Sequence, residues 1–296
     1  MKPRTVIIGD NFAEELAHQL NLEAILVEER IFFDGEIQPR LLQEKKAEQI
    51  ILILQKKADQ GINDYLIEYL LLARKAKDLA KKVLGIMPYL PYTRQDAIFE
   101  EGEPLSALYL AELIEQNLAL FLTFNMHEHR KRIRDLFTIP AYNVSLFQDL
   151  AKQFQEFDPQ QAIVLGPDRE AKTFVDDFCS NFPAEKIIFL KQRNAKTGQI
   201  TFSYPKLNLK DKDVIIVDDL VSTGGTILAV AKIVKQFQAR SISFAFVHPV
   251  LGDQSFEALK VVHPKKIITT NTISNSYFEL DLIEPLARFL KQELKI

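Results

Sequence analysis

The chain repeats one arrangement of hydrophobic and polar positions: a short, continuously apolar run, then a polar or glycine-containing turn, then an amphipathic stretch. The apolar runs predict strands at residues 6–8, 50–54, 83–87, 118–124, 162–165, 186–190 and 213–217. The amphipathic stretches predict helices from near Phe12, over residues 63–82 and over residues 226–237. Because runs that are apolar at every position are typical of parallel strands buried on both faces, the pattern predicts an α/β fold of mostly parallel sheets flanked by helices.

The two halves of the chain have a similar layout. Strand 50–54 with its long helix corresponds to strand 214–217 with its helix, and the turn at Gly9 corresponds to the turn at Gly166. The following loops differ, since Gln-Lys-Lys-Ala occupies residues 55–58, whereas two acids and a Ser-Thr-Gly-Gly-Thr segment follow Val217. A chain of 296 residues is long enough for two hydrophobic cores. We therefore expect two similarly folded domains joined near residues 145–150, with the ligand-binding chemistry in the second.

Composition limits which binding partners and which cellular compartment we expect for this chain. The net charge of −3 gives no electrostatic reason to expect nucleic acid or an anionic membrane as a partner. The single cysteine, Cys179, excludes an internal disulfide and favours a cytoplasmic setting. The apolar runs are shorter than the roughly 18 residues of a membrane-spanning helix. One basic cluster, residues 129–134, suits either a solvated helix face or a small phosphorylated ligand.

The most informative segment is residues 214–226, in which a buried strand leads to two acids and then to a loop rich in hydroxyls and glycine. These site residues are Asp218, Asp219, Ser222, Thr223, Gly224, Gly225 and Thr226. We expect positive φ angles at both glycines, so that successive N–H groups converge on an anion at the amino end of the following helix. The acids would repel a bare phosphate but accept hydrogen bonds from a diol. The segment thus favours a sugar phosphate over an acid-capped turn that happens to contain glycine, and it matches neither the ATPase phosphate loop nor the dinucleotide fingerprint.

This segment resembles the phosphoribosyl pyrophosphate-binding motif of type I phosphoribosyltransferases and of ribose-phosphate diphosphokinases. The resemblance implies that the acids bind the ribose hydroxyls and that the loop binds the 5-phosphate. Five further stretches resemble the diphosphokinases, most of all their archaeal-type branch: residues 30–36, 88–96 and 102–107, His127, and residues 166–168. The resemblance implies two tandem type I phosphoribosyltransferase-like domains. The first, residues 1–147, would be degenerate and bind ATP; the second, residues 148–296, would bind ribose 5-phosphate.

The resemblance also implies roles for individual residues. ATP would be held by Arg94, Gln95, Asp96 and His127 and, across a subunit interface, by Phe33, Asp34 and Glu36. His127 and Asp168 would support Mg²⁺. Lys191 and Arg193 would act on the transferring group from a flexible loop. From the residues alone, segment 190–198 also suits a charged hairpin, residues 94–96 an ordinary polar loop, and His127 and His129 structural histidines.

The implied reaction is transfer of pyrophosphate from Mg-ATP to the 1-hydroxyl of ribose 5-phosphate by a homo-oligomer, with AMP as the second product. Such chemistry depends on positioning and charge neutralisation, for which the planar fork of Arg94 is well suited. Three departures from the family pattern are Asn125 and Asn271, where aspartates are usual, and residues 44–46, Glu-Lys-Lys, in a loop that usually contains Arg and Gly. They leave open a non-catalytic regulatory homologue, and the shared motif leaves open a phosphoribosyltransferase. The intact residues 218–226, Lys191 and Arg193 favour the diphosphokinase.

Overall fold

The computed structural model describes residues 3–193 and 200–296. The chain divides into two compact units. The first contains Met1–Val144, Thr272–Ser274 and Leu282–Ile296, and the second contains Ser145–Asn271 and Asn275–Asp281. The boundary between Val144 and Ser145 lies close to the junction expected near residues 145–150. The division differs at the carboxyl end, because the last segment belongs to the first unit and not to the second.

The first unit is built on a seven-stranded sheet in the order β3-β2-β1-β4-β5-β6-β7. Its strands are β1 (Thr5–Gly9), β2 (Glu23–Ile31), β3 (Ile37–Leu41), β4 (Ala47–Ile53), β5 (Ala80–Met87), β6 (Leu120–Phe124) and β7 (Ala141–Val144). Four of its helices are α1 (Asn11–Leu20), α2 (Ile62–Leu79), α3 (Ser106–Glu115) and α4 (Ile133–Leu136). Strands β2 and β3 form an antiparallel hairpin, and the remaining neighbours are parallel.

The second unit contains a five-stranded parallel sheet in the order β14-β13-β12-β8-β9 and a separate two-stranded hairpin, β10-β11. The helices are α5 (Phe147–Lys152), α6 (Lys172–Asn181), α7 (Gly225–Gln236) and α8 (Asp253–Leu259). The strands are β8 (Ala162–Gly166), β9 (Glu185–Ile188), β10 (Leu190–Arg193), β11 (Ile200–Ser203), β12 (Asp213–Val221), β13 (Ser241–Pro249) and β14 (Lys266–Ile268).

The predicted similarity of the two halves is confirmed by the order of their strands. The chain runs β1, β2, β4, β5, β6 through the first sheet and β8, β9, β12, β13, β14 through the second, and it places them in the same spatial order. In both sheets the order reverses direction beside the first of these strands. Open α/β sheets bind ligands at the carboxyl edge of such a switch point. The equivalent places are the ends of β1 and β4 in one unit and of β8 and β12 in the other.

Helix α2 shows why these elements form and where the prediction of them was too long. Its buried side chains follow a helical spacing and pack into the first hydrophobic core: Tyr65, Leu66, Tyr69, Leu72, Ala73 and Ala76. The helix ends at Leu79, not at Lys82, because Ala80 pairs with Ala47 and Lys82 with Gln49 in the sheet. Strand pairing here overrides local helix propensity. Among the described residues, no helix combines the length and the apolar character needed to cross a bilayer.

Strand β12 is longer than predicted. It continues through both acids to Val221, because β13 is equally long and pairs with it as far as Val221–Pro249. Asp218 and Asp219 are therefore held by a sheet ladder and do not stand in a loop. The predicted strand 186–190 is instead divided, since β9 joins the parallel sheet and β10 turns away after Phe189 to pair with β11.

The carboxyl-terminal helix α9 (Ile283–Gln292) belongs to the first unit because of its contacts there. Its buried residues Leu286 and Leu290 lie on one face, and the helix packs against α1. The ring of Phe289 meets that of Tyr142 edge-on with 5.4 Å between centroids. The Lys291 ammonium donates to the backbone oxygen of Gln19 at 3.2 Å. The first unit is thus assembled from both ends of the described chain.

Candidate functional site

The phosphate loop predicted in the second unit forms a tight turn from β12 into α7. Gly224 adopts φ 72°, a left-handed conformation that favours glycine, and a Cβ there would lie 2.9 Å from Cδ2 of Leu259. The expected positive φ is confirmed at Gly224 and wrong at Gly225, which is the first residue of α7. Among the side chains that the structure describes, none caps α7 in the manner of an N-cap; the Thr223 hydroxyl accepts from the Gly225 N–H only at 3.5 Å. The first-turn N–H groups of α7 remain available to an anion.

Carboxylates gather beside this loop. Asp218 and Asp219 follow one another on β12, and the Asp219 N–H donates to Oδ1 of Asp218 at 3.0 Å. Asp168 follows β8, the neighbouring strand, and its Oδ1 accepts from the N–H groups of Glu170 and Ala171 at 3.0 and 3.2 Å. Burial raises the pKa of Asp218 well above its ordinary value, and the negative charges of Asp219 and Asp168 raise it further. The arrangement suits a ligand that brings hydrogen-bond donors or a cation.

Lys191 is brought to the same place by the β10–β11 hairpin. Its exposed ammonium donates to Oγ1 of Thr226, in the first turn of α7, at 2.9 Å. Strands β10 and β11 pair antiparallel, and this pairing brings a cation to the loop that precedes α7. Arg193 ends β10. The rest of the predicted loop, residues 194–198, lies outside the described residues, as does the Arg193 side chain.

In the first unit, two of the predicted ATP-binding residues line a cavity of about 470 Å³ between the amino end of α2 and the loop after β5. Its lining comprises Gly61, Ile62, Asn63, Asp64, Tyr89, Tyr92, Thr93, Arg94 and Gln95. Arg94 and Gln95 are exposed, whereas Tyr92 is fixed by its hydroxyl, which donates to Oδ1 of Asn63 at 2.6 Å. Aromatic walls with a guanidinium and an amide beside them suit part of a nucleotide.

Asp96, predicted together with Arg94 and Gln95, is directed elsewhere. Its side chain is only 1% exposed, and it accepts from the Arg130 N–H at 2.8 Å and from the Arg130 guanidinium at 3.0 Å. Burial raises the pKa of Asp96, but the hydrogen bonds from Arg130 outweigh burial and leave that pKa below its ordinary value. Asp96 is therefore committed to an ion pair, and it does not line the cavity.

His127 lies in the loop after β6 and is half-buried. The residue before it is clamped by Asn143 of β7, since the Met126 N–H donates to Oδ1 of Asn143 at 2.8 Å and the Asn143 amide donates to the Met126 oxygen at 3.4 Å. Asn125 has φ 34°, a left-handed conformation that asparagine adopts more readily than most residues. Asn143 is a site residue that the sequence analysis missed. The only available signal was a polar side chain within a short strand.

The other two departures from the family pattern also make specific contacts. The buried Asn271 amide donates to Oδ1 of Asp281 at 3.0 Å, so an aspartate at 271 would oppose a second carboxylate. Glu44 pairs with Lys75 at 3.0 Å, and Lys45 pairs with Glu23. These contacts give the unusual residues structural roles within their own units.

The hairpin of β2 and β3 presents the remaining predicted ATP-binding residues at its tip. Gly35 turns the chain with φ 90°, and the Glu36 N–H donates to Oδ1 of Asp34 at 3.2 Å. Phe33 is fully exposed at this tip, and nothing in the described part of the chain covers it. A large apolar side chain presented in this way suits an interface.

The predicted magnesium ligands are His127 and Asp168. Within residues 3–193 and 200–296, no three or more His, Cys, Asp or Glu side chains form a group that could hold a metal ion. Of the two predicted ligands, His127 belongs to the first unit and Asp168 to the second. Magnesium typically takes one or two protein carboxylates together with substrate phosphates, a pattern that needs no such cage.

Comparison with known proteins gives a consistent result. Residues 8–117 match the family model for the N-terminal domain of ribose phosphate pyrophosphokinase, and residues 145–282 match the phosphoribosyl transferase domain. The chain is 31% identical to the ribose-phosphate pyrophosphokinase of Saccharolobus solfataricus over 91% of this chain and 93% of that protein. It is 30% identical to that of Methanobrevibacter smithii over 97% and 100%. In fold it matches the phosphoribosylpyrophosphate synthetase of Mycobacterium smegmatis with a TM-score of 0.85 over 99% of both chains, at 22% identity.

Proposed function

Because the chain belongs to the ribose-phosphate pyrophosphokinase family of transferases in nucleotide biosynthesis, we propose that it transfers the pyrophosphoryl group of ATP to the 1-hydroxyl of ribose 5-phosphate. The products are phosphoribosyl pyrophosphate and AMP. One observation carries the proposal: the Lys191 ammonium stands 2.9 Å from the Thr226 hydroxyl, so a cation for the transferring group lies beside the sugar-phosphate loop.

Ribose 5-phosphate binds in the second unit. The 5-phosphate accepts from the N–H groups of the loop and from the first turn of α7, with the hydroxyls of Ser222, Thr223 and Thr226 beside them. Asp218 and Asp219 accept from the ribose diol. Their crowding with Asp168 supports this role, because hydroxyl donors relieve the repulsion that raises the pKa of Asp218.

ATP binds through the first unit. Arg94 and Gln95 contact it from the rim of the 470 Å³ cavity, and His127 contacts it from the loop after β6. Asp96 serves the same site indirectly, through its ion pair with Arg130. Lys191 and Arg193 act on the β-phosphoryl group as charge develops during an in-line attack, since phosphoryl transfer depends on positioned charge more than on covalent catalysis.

Magnesium fits the oxygen-rich donors at the end of β8 and β12. Asp168 would hold it, and the crowding of the Asp218 carboxylate with those of Asp219 and Asp168 is the observation that favours a divalent cation there. When bound, the ion neutralises phosphate charge and orients the triphosphate. The protein's own contribution is to supply the carboxylates and to keep Lys191 close to them.

The nucleotide site is shared between subunits of a homo-oligomer. Phe33, Asp34 and Glu36 project from the β2–β3 hairpin, and the full exposure of Phe33 supports their use by a neighbouring chain. Mixing Glu36→Ala chains with Lys191→Ala chains should restore part of the activity, because one interface in each mixed pair then has both residues. A fully active monomer in light scattering, or mixing that never restores activity, would show that each chain builds its own site.

The proposed reaction is tested by incubating the protein with ATP, magnesium and ribose 5-phosphate and separating the nucleotides by chromatography. AMP should form only when the sugar phosphate is present, in equal amount to phosphoribosyl pyrophosphate seen by ³¹P NMR. Calorimetric titration of ATP accompanies the assay. Nucleotide binding without AMP formation would contradict the proposal and identify a non-catalytic homologue.

A further inference from the structure

The basic cluster of residues 129–134 contains one side chain that is bound differently from its neighbours. Arg130 donates to the buried carboxylate of Asp96 from its backbone and from its guanidinium, at 2.8 and 3.0 Å. The same guanidinium lies over the ring of Phe99, 5.1 Å from its centroid. Arg134 is exposed and has no ion pair with any described residue. The cluster is therefore not a uniform solvated surface, because Arg130 forms an ion pair with a buried carboxylate and Arg134 does not.

The grip on Asp96 fixes the loop that carries Arg94 and Gln95. Each oxygen of the carboxylate takes a separate donor, Oδ1 from the guanidinium and Oδ2 from the N–H, so the side chain is held in position and in rotation. A carboxylate that is 1% exposed and loses its cation is strongly unfavourable. The chain at Asp96 is thus pinned one residue beyond Gln95.

The same contact fixes the loop that carries His127. Met126 is clamped by the Asn143 amide, and Arg130 is held by Asp96. His127 therefore lies between two anchored points of the chain. Between them, the Glu128 carboxylate accepts from the Ile133 N–H at 2.9 Å, which restrains the loop further.

We propose that Arg130 is a positioning residue for ATP, which joins the loop of Arg94 and Gln95 to the loop of His127. This inference rests on the proposed binding of ATP by those residues. Arg130 sets their relative position through Asp96 and makes no contact with the substrate itself. Two loops that meet one triphosphate must be held in register, and a bidentate pair between them does so.

The test is steady-state kinetics on Arg130→Ala, with Arg134→Ala as the control from the same cluster. Arg130→Ala should raise KM for ATP about tenfold and leave KM for ribose 5-phosphate within about twofold, since the tie lies in the first unit. Arg134→Ala should resemble the wild type. Arg130→Lys keeps the charge without the planar fork and should fall between them. If circular dichroism shows that Arg130→Ala does not fold, Arg130→Lys takes its place in the KM comparison.

A double-mutant cycle separates positioning from direct contact. If Arg130 acts through the loop of Arg94, the effects of Arg94→Ala and Arg130→Ala on ATP affinity should be less than additive. Additive effects, equal increases in both KM values, or an unchanged KM for ATP would each overturn the inference. Calorimetric titration of a non-hydrolysable ATP analogue gives the same comparison without turnover. A wild type that binds the analogue but makes no AMP would therefore defeat the proposed reaction and still decide the role of Arg130.

Discussion

Strands β4 and β12 occupy equivalent places in two similar sheets and end in different chemistry. In the first unit Gly9 pairs with Ile53, and in the second Leu165 pairs with Ile216, one residue before Gly166, the counterpart of Gly9. When both registers are continued, Leu54 and Gln55 take the positions that Asp218 and Asp219 take in the second unit. Leu54 is buried in the first hydrophobic core. At one switch point the chain presents two acids, and at the other it presents a leucine and an amide.

The polar groups around the first switch point already have partners. A cavity of about 270 Å³ lies there, where Lys57 pairs with Glu29 and the Gln60 amide donates to Glu68 at 2.7 Å. Asp10 accepts from the N–H groups of Phe12 and Gln55. By contrast, the hydroxyl of Ser222 makes no hydrogen bond to any residue that the structure describes, and Asp218 faces other acids. This difference supports the proposed sugar-phosphate site in the second unit and not in the first.

The helices that follow the two strands differ in the same sense. Helix α2 has Asp64 in its first turn, a carboxylate that offsets the positive end of the helix dipole. Helix α7 has no acid in its first turn. An incoming phosphate meets a compensated helix end in the first unit and an uncompensated one in the second. This electrostatic difference favours the second unit over the first as the proposed phosphate site.

The largest predicted effect removes the lysine that contacts the first turn of α7, whereas Lys57 in the first unit is paired with Glu29. Lys191→Ala should lower turnover by about 10³-fold and change both KM values little, because its contact with the transferring group strengthens in the transition state. Lys186→Ala is the matched control, an exposed lysine nearby that pairs with Asp176 at 2.7 Å. Near-normal turnover of Lys191→Ala with lost affinity would show that Lys191 is a binding residue.

The second prediction replaces Asp218 with leucine, the residue that occupies the equivalent position in the first unit. Asp218→Leu should raise KM for ribose 5-phosphate about 10- to 100-fold, equivalent to the roughly 1.5–3 kcal/mol of a hydrogen bond to a charged group. KM for ATP should stay near its wild-type value. The reciprocal change, Leu54→Asp, should destabilise the first unit without creating sugar-phosphate binding, since Leu54 is 2% exposed. Equal increases in both KM values of Asp218→Leu would disprove the assignment of this acid to the sugar.

The third prediction concerns the turn that the first unit lacks. Gly224→Ala should cost about 1–2 kcal/mol in unfolding free energy, because φ 72° is unfavourable for alanine and its Cβ would crowd Leu259. Gly225→Ala should be almost neutral in stability, since Gly225 is helical and its Cβ would have ordinary contacts. Urea denaturation of both variants measures the difference. Similar losses would mean that the turn does not depend on the left-handed conformation.

The smallest predicted effect concerns Asp213, the first residue of β12. It occupies the position in β12 that Gln49 occupies in β4. Burial raises the pKa of Asp213, but hydrogen bonds from Arg240 and Ser241 outweigh burial and leave that pKa below its ordinary value. The pair therefore stabilises the fold fully above the unfolded pKa of about 3.9, and its contribution is lost as the pH falls through the folded pKa.

Asp213→Asn should accordingly cost about 1 kcal/mol at pH 7, and its deficit relative to the wild type should shrink below about pH 4. The measurement is the urea midpoint of both proteins at each pH, with the exposed Asp211→Asn as the control. A deficit that stays constant between pH 7 and pH 3 would show that the ion pair is not its source.

The candidate site of the second unit could be located from the sequence because its residues are contiguous. Asp218, Asp219 and the glycine turn follow a single strand, so strand prediction and loop chemistry locate them together. Lys191 was predicted by resemblance, and its approach to Thr226 required the β10–β11 hairpin, which depends on pairing between separate segments.

The first-unit site was less predictable because its geometry depends on distant residues. Asp96 looks like one more polar residue after Arg94 and Gln95, and only the fold shows that Arg130, far along the chain, takes both of its oxygens. Asn143 similarly acts on Met126 across two strands. The sequence analysis predicted no helix over α9, and its amphipathic pattern could tell only which face is buried and not which core buries it.

The placement of α9 also has a consequence for the order in which the protein is made. The ribosome delivers Ser145–Asn271, the bulk of the second unit, before it delivers the segment Leu282–Ile296 that completes the first. During synthesis α1 is therefore made before its partner helix α9, and the bulk of the second unit is made between them. Although α1 can already pack against β1 and β2, the surface that it shares with α9 lacks this partner throughout that interval, and unpaired apolar surface is what chaperones protect.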